Sequence, residues 1–252
     1  MFSRTFSLSG GSDIFFTDSG APAGSTDYTT LIVLHGSAFN GRNLEILHDY
    51  AHKYNLRTVI WNRREYPGST KYTDAELEDY NEGRKAFLDG LAIQVCEFLK
   101  QYVKKENIPK ISADRNSGGF AIMGWSMGTA TAMPLFSDPT LISAESYILL
   151  EQYVKDLILY DPPYLSFGYE PPADPKAYNV WADPAFKTPK ELYHNFALWV
   201  SSFFDHPDVS GSTYGLNYKD RSTDSATVSL WTQEEFERNF SESAVSRSEF
   251  RM

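Results

Sequence analysis

The pentapeptide Gly124-Trp125-Ser126-Met127-Gly128 limits what this chain can fold into more than any other stretch. An apolar run, Phe120-Ala121-Ile122-Met123, leads into it, and the Ala, Thr and Met run Thr129-Ala130-Thr131-Ala132-Met133 leads out. This pattern predicts a strand turning sharply into a helix, with the serine on strained backbone at the tip and its hydroxyl above the sheet edge. In so tight a turn the residues two before and two after the serine must be small, as Gly124 and Gly128 are. The first amides of the helix, that of Met127 among them, point at the same spot. Their partial positive charge can stabilise an oxyanion formed when a hydroxyl attacks a carbonyl.

The flanking sequence builds a parallel sheet around that turn. Arg4 to Ser9 and Asp13 to Thr17, separated by Ser9-Gly10-Gly11-Ser12, predict a hairpin. Leu31-Ile32-Val33-Leu34, Thr58-Val59-Ile60-Trp61 and Leu157-Ile158-Leu159-Tyr160 are continuous apolar runs of strand length, suited to strands covered on both faces. Between them, helices are expected over 40–53, over a long segment capped by Asp74 with the stripe Phe87, Leu88, Leu91, Val95, Phe98, Leu99 and Tyr102, and over 141–156. The alternation specifies an α/β fold with right-handed crossovers. Cys96 lies beside the long stripe and reads as a buried, inert thiol.

After Asp161-Pro162-Pro163 the character changes. Residues 164–188 are dense in proline and aromatics. The segment 189–204 predicts an amphipathic helix with Leu192, Phe196, Trp199, Val200 and Phe203 on one face, which can lie as a lid over the sheet's carboxyl end or pack on the sheet with no bearing on ligands. Residues 207–230 are polar, and Thr232-Gln233-Glu234-Glu235 opens a further helix with a capping box.

The elbow, the His35-Gly36 loop after a buried strand, the Asn62-to-Ser69 loop ending in Pro-Gly-Ser and the strand ending Tyr160-Asp161-Pro162 resemble the α/β-hydrolase superfamily, in its capped lipase, esterase and epoxide-hydrolase-like branch. The likeness runs from Arg4 to about Phe240. It implies a mostly parallel sheet with helices on both faces: a core over 1–161, a helical cap over 162–245 and a tail over 246–252, with the C-terminal part of the fold truncated. It also implies Ser126 as nucleophile, the Met127 and Ser37 amides as oxyanion donors, and His35, Gly36, Gly124 and Gly128 as the residues that shape the site. Family members carry an acid and a histidine after the serine in chain order, so that the acid orients the imidazole that takes the serine proton. Asp161, at a strand end, is the best-placed acid, although Asp-Pro-Pro also suits an Asx-type turn. Asp183 and Asp205 are weaker candidates. Among the histidines, His48 and His52 lie on a crossover helix, the ordinary place for surface histidines, and His35 precedes the oxyanion turn, which leaves His194 and His206, with His206 the better base.

The expected function is hydrolysis of a small carboxylic ester or related apolar acyl compound through an acyl-enzyme. A truncated, catalytically impaired homologue that binds a small molecule or a partner is the alternative. A serine at the elbow, where a carboxylate would attack, argues against epoxide or haloalkane hydrolysis. No cofactor is expected, because the histidines and Cys96 lack zinc spacing and no phosphate-binding glycine loop is present. A net charge of -10 disfavours nucleic acid as a partner. With no bilayer-length apolar run, no leader and a lone cysteine, a cytoplasmic protein without a membrane span is expected.

Overall fold

The computed structural model describes residues 1–170, 178–210, 215–221 and 223–249. Strands β1 (Phe2–Ser7) and β2 (Asp13–Asp18) pair as an antiparallel hairpin. Then follow β3 (Thr29–Leu34), α1 (Ile46–Ala51), β4 (Leu56–Trp61), α2 (Asp74–Asn81), α3 (Lys85–Lys105), β5 (Phe120–Trp125), α4 (Gly128–Ala132), α5 (Ala144–Leu150) and β6 (Val154–Tyr160). All six strands join one sheet in the order β1-β2-β4-β3-β5-β6. Strands β3 to β6 run parallel, and β2 meets β4 antiparallel. This is the mostly parallel α/β sheet that the apolar runs predict.

Register positions the site. Leu34 lies level with Trp61 and with Gly124, and Trp125 lies level with Tyr160. The loops after all four parallel strands therefore open along one edge, where doubly wound sheets carry their ligands. Beneath that edge, the apolar stripe of α3 packs on the sheet: Phe98 is fully buried, its ring 4.7 Å from that of Trp61 and 5.1 Å from that of Phe16. Cys96 is a buried free thiol in the same core.

Several elements differ from the sequence expectation for identifiable reasons. The long helix is two helices. Thr73, not Asp74, caps α2, in a capping box with Glu76. At its end Gly83 takes φ 61° while the Arg84 amide returns to the Asp79 carbonyl (2.8 Å), a six-to-one closure that stops the helix. The helix expected over 40–53 shrinks to α1 between two 3-10 turns, because Asn40 caps a tight turn through the Arg42 amide and Gly41 sits against the Trp61 carbonyl. The helix expected over 141–156 is only α5. Val154 to Asp156 instead extend β6, where they pair with the open edge of β5. Strand β6 is outermost among the described residues, and Ile158, Leu159 and Tyr160 along it are exposed.

The remaining segment packs on the loop after β3. Helix α6 (Pro189–Val200) starts with a capping box between Thr188 and Glu191 and buries Leu192, Tyr193, Phe196 and Ala197; Val200 and Phe203, expected on its inner face, are exposed. Helices α7 (Gln233–Asn239) and α8 (Glu242–Ala244) follow, then a π-helical turn (Val245–Glu249). Phe39, Tyr193, Phe196, Val228, Phe240 and Val245 form a second apolar cluster around Ala38. Residues 246–249, the tail of the sequence reading, lie in that π-helical turn, with Ser248 and Glu249 buried. No helix among the described residues is long and apolar enough to cross a membrane.

Candidate functional site

Ser126 sits where β5 turns into α4, with φ at 51°. A non-glycine residue in this left-handed region costs about 1–2 kcal/mol, so the surrounding packing must hold it there. Three glycines allow it. A Cβ on Gly124 would lie 2.6 Å from the Thr129 Cα, one on Gly128 would lie 2.1 Å from the Leu34 carbonyl oxygen, and one on Gly36 would lie 3.0 Å from the Ser126 Cβ. The strand, the helix and the loop after β3 thus meet at distances that only glycine permits. The Ser126 amide donates to the Tyr160 carbonyl (2.9 Å), which ties the elbow to the end of β6. Its hydroxyl is half-buried and has no hydrogen-bond partner among the described residues.

Strain recurs along this edge. Ala38 (φ 66°), Glu65 (φ 75°), Ser126 and Asp161 (φ 49°) follow β3, β4, β5 and β6 respectively, four of the six non-glycine residues with positive φ among the described residues. Such clustering marks the loops whose shape matters for more than stability.

The loop after β3 is braced by the loop after β4. His35 is fully buried; its Nδ1 donates to the Gly36 carbonyl (2.8 Å), and its Nε2 accepts from the Arg63 amide (3.0 Å). Burial, reinforced by the Arg63 charge, holds the imidazole well below its usual pKa, hence neutral. With both nitrogens engaged, His35 shapes the loop and has no lone pair left for Ser126. The Met127 and Ser37 amides, the expected oxyanion donors, make no hydrogen bond among the described residues. The next amide, Ala38, donates to the Tyr66 hydroxyl (2.9 Å) and to Glu249 Oε2 (3.0 Å).

Sequence reasoning missed three groups here: Arg63, Tyr66 and Glu249. Glu249 accepts from the Tyr66 hydroxyl (2.5 Å) and pairs with the Arg63 guanidinium, which also donates to the Gly36 carbonyl (2.9 Å). Burial lowers the Arg63 pKa, but the Glu249 carboxylate outweighs it and keeps the guanidinium firmly charged. Burial and the same carboxylate push the Tyr66 hydroxyl well above its ordinary range. Residues 62–69 were visible as a polar loop after a buried strand. Nothing local marks Glu249, whose partner Arg63 is 186 positions away.

None of the other candidates is hydrogen-bonded to the serine side chain among the described residues, although Asp161 directly follows Tyr160, whose carbonyl accepts from the Ser126 amide. Asp161 is exposed at the end of β6, and its carboxylate has no hydrogen bond among the described residues. His206 is exposed and stacked on Phe204, and its Nδ1 accepts from the Asn217 amide (3.0 Å). His194 is exposed on α6 and lines a cavity of about 410 Å³ with Lys190, Tyr193 and Glu242, to which Ser126 does not contribute. Asp183 accepts from the Tyr178 hydroxyl (2.7 Å) and the Ala185 amide (2.9 Å) in a local turn, and Asp205 is exposed. His52 is exposed. His48, expected at the surface, is buried and bridges Thr58 (2.6 Å) and Thr17 (2.8 Å), joining β4 to β2. No imidazole among the described residues is hydrogen-bonded to Ser126.

A second cavity, of about 310 Å³, lies beside the elbow. Met127, Ala130 and Thr131 line it from the elbow and α4, Tyr72, Tyr80, Phe87 and Leu91 add apolar and aromatic surface, and Arg63, Arg64, Arg84 and Glu249 are the charged residues of its lining. Burial raises the Tyr72 hydroxyl to about 12, so it stays protonated in this lining.

Comparison with protein-family models gives no match, and comparison with curated protein sequences gives none either. Solved structures are similar. An esterase from Exiguobacterium antarcticum superposes with a TM-score of 0.52 at 15% identity, over 98% of this chain and 72% of that one. An epoxide hydrolase of the α/β-hydrolase superfamily from hot-environment metagenomes gives 0.52 at 15% identity, over 100% and 69%. The N-acyl homoserine lactonase AidH, complexed with N-hexanoyl homoserine lactone, gives 0.50 at 11% identity, over 97% and 68%. Sheet order, elbow and these superpositions agree: the chain has the α/β-hydrolase fold.

Proposed function

We propose that the protein is a serine hydrolase in which Ser126 attacks the carbonyl of a small carboxylic ester or related acyl compound. The observation that carries this reading is the left-handed Ser126, held by three glycine contacts that leave its hydroxyl unpaired at the sheet edge. The acyl carbonyl oxygen, negative in the tetrahedral intermediate, would take the Met127 and Ser37 amides. Collapse of that intermediate expels the alcohol, and water then releases the acid from the serine ester. The apolar cavity beside Met127 suits a short acyl or aryl body. In this reading His206 is the base and Asp161 the acid, which requires the segment carrying His206 to close over the elbow, give up the Asn217 amide bond and take the tautomer with Nδ1–H toward Asp161 and an unprotonated Nε2 toward Ser126.

A second reading is favoured by two observations: Ser126 has no imidazole partner among the described residues, and Glu249 fills the corner next to the oxyanion amides. It makes the chain a binding protein for small molecules, since a serine without its base turns over orders of magnitude more slowly. A fluorophosphonate probe separates the two. The hydrolase reading expects stoichiometric labelling of the wild type, none of Ser126→Ala, and loss of ester hydrolysis in that variant across short and long acyl esters. Folded wild-type protein that takes up no probe and cleaves no ester removes the hydrolase reading.

A further inference from the structure

The proposed reaction makes no use of the group of buried polar side chains next to it. Three donors from two strand-end loops converge on the Glu249 carboxylate: the Arg63 guanidinium, the Tyr66 hydroxyl (2.5 Å) and the Ala38 amide (3.0 Å). Tyr66 is 1% exposed and the Glu249 side chain 3%. A cation, a hydroxyl and an amide aimed at one carboxylate form a charge-assisted recognition site, whichever molecule supplies the carboxylate.

That site has capacity to spare. Arg63 Nε is buried and has no partner among the described residues. Arg57 illustrates full use of the same edge, where Nε (2.9 Å) and Nη2 (2.6 Å) hold both oxygens of Asp18. Among the described residues Glu249 is bonded to Arg63 through Nη2.

The surroundings define the rest of the ligand. Glu249 and Arg63 line the 310 Å³ cavity together with Arg64, Arg84, Tyr72, Phe87, Leu91 and Met127. Gly36 links this corner to the elbow, because its carbonyl accepts from Arg63 while its Cα faces the Ser126 Cβ.

We propose that Arg63, Tyr66 and the Ala38 amide form a binding subsite for a small monocarboxylic acid with an apolar body, and that Glu249 occupies this subsite in cis. The π-helical turn that carries Glu249 has a second anchor: Arg247 reaches Glu65 (3.3 Å), the Tyr72 carbonyl (2.8 Å) and Asp74 (3.2 Å). An external acid therefore competes with an internal carboxylate, and its apparent affinity falls with the fraction of molecules in which the corner is open. The subsite stands whether or not Ser126 reacts.

The test is calorimetric titration of hexanoate and phenylacetate into the full chain and into Glu249→Ala, with hexanol as the carboxylate-free control. The variant is expected to bind hexanoate about tenfold or more tightly than wild type, and hexanol to show no saturable binding. Adding Tyr66→Phe to Glu249→Ala is expected to weaken hexanoate about tenfold. Equal affinity of wild type and variant, no saturable binding by the folded variant, or hexanol binding as well as hexanoate overturns the proposal. If circular dichroism shows Glu249→Ala unfolded, Glu249→Gln replaces it and amide exchange is followed on wild type. Saturating hexanoate should then speed exchange over 242–249, and unchanged exchange overturns the proposal. Fluorophosphonate labelling of the same samples keeps the two readings apart: binding without labelling removes the nucleophile alone, and labelling without binding removes the carboxylate subsite alone.

Discussion

Replacing glycine by alanine at two positions should have opposite effects, and the difference tests whether close backbone approach builds the elbow. At Gly128 the new Cβ would lie 2.1 Å from the Leu34 carbonyl oxygen and 2.7 Å from that of His35, about 0.9 Å inside the 3.0 Å that real Cβ atoms respect at the nearer atom. Both obstacles are backbone: Leu34 is paired on both sides within the central sheet, and His35 follows it. No rotamer change relieves the clash, so α4 must move away from β3. Overpacking of this kind costs about 1–3 kcal/mol, and rigid backbone on both sides puts Gly128→Ala at the upper end. A shift of about 1 Å at the serine should also slow its reaction with a fluorophosphonate about a hundredfold. Gly90 is the control: it lies exposed within α3, and a Cβ added there would meet nothing within 4 Å. Gly90→Ala should therefore stabilise by about 0.4–1 kcal/mol through helix propensity and reduced unfolded-state entropy. Urea midpoints and probe-labelling rates of the two variants and wild type provide the assay. If Gly128→Ala has the wild-type midpoint and labelling rate, the close approach of α4 to β3 does not hold Ser126, and the reasoning about the site fails with it.

The other predictions concern buried charge and protonation. Burial pushes the Asp18 carboxyl up, but the Arg57 fork, the Gly20 amide and the Tyr102 hydroxyl outweigh it and keep it below the usual range. Arg57→Met should cost about 3 kcal/mol, near the lower end for a broken buried pair, because the partly exposed Arg4 guanidinium at 3.5 Å remains as a charge partner of that carboxylate, and adding Asp18→Asn should recover part of the loss; a midpoint shift smaller than about 1 kcal/mol would show that the pair is not desolvated. Burial holds His35 and His48 below the ordinary 6.5, so between that value and their folded pKa the unfolded chain binds the extra protons. Stability should accordingly be complete well above about pH 6.5 and fall on acidification below it by at most about 1.4 kcal/mol per pH unit for each histidine, the fall ending at that histidine's folded pKa. A urea midpoint that stays flat from pH 7.5 to 5.5 would contradict this.

How far the sequence reads through to the structure depends on the range of the interactions involved. A parallel strand is covered on both faces, so β3, β4 and β5 appear as unbroken apolar runs within six residues each. The elbow is legible because its glycines lie two positions either side of Ser126, although only Gly124 is demanded within the turn, by Gly128 and Thr129, whereas Gly128 is demanded by the Leu34 and His35 carbonyls of the neighbouring strand and loop. Helix ends were less legible. Gly83 stops α2 only because its left-handed conformation lets the Arg84 amide close the turn, and Val154 to Asp156 leave a helical pattern because β5 offers them an open edge. His48 looked like a surface residue until the fold brought Thr17 and Thr58 to its two nitrogens.

By itself, then, the amino-acid order determined the α/β class, the strand cores and the serine at the tip of β5, because periodicity and turn sterics act over a few residues. Only the tertiary structure decided what surrounds that serine. It placed Glu249 against Arg63 and Tyr66 and left His206 on the surface, because burying a charge requires partners that only chain closure over long separations can supply.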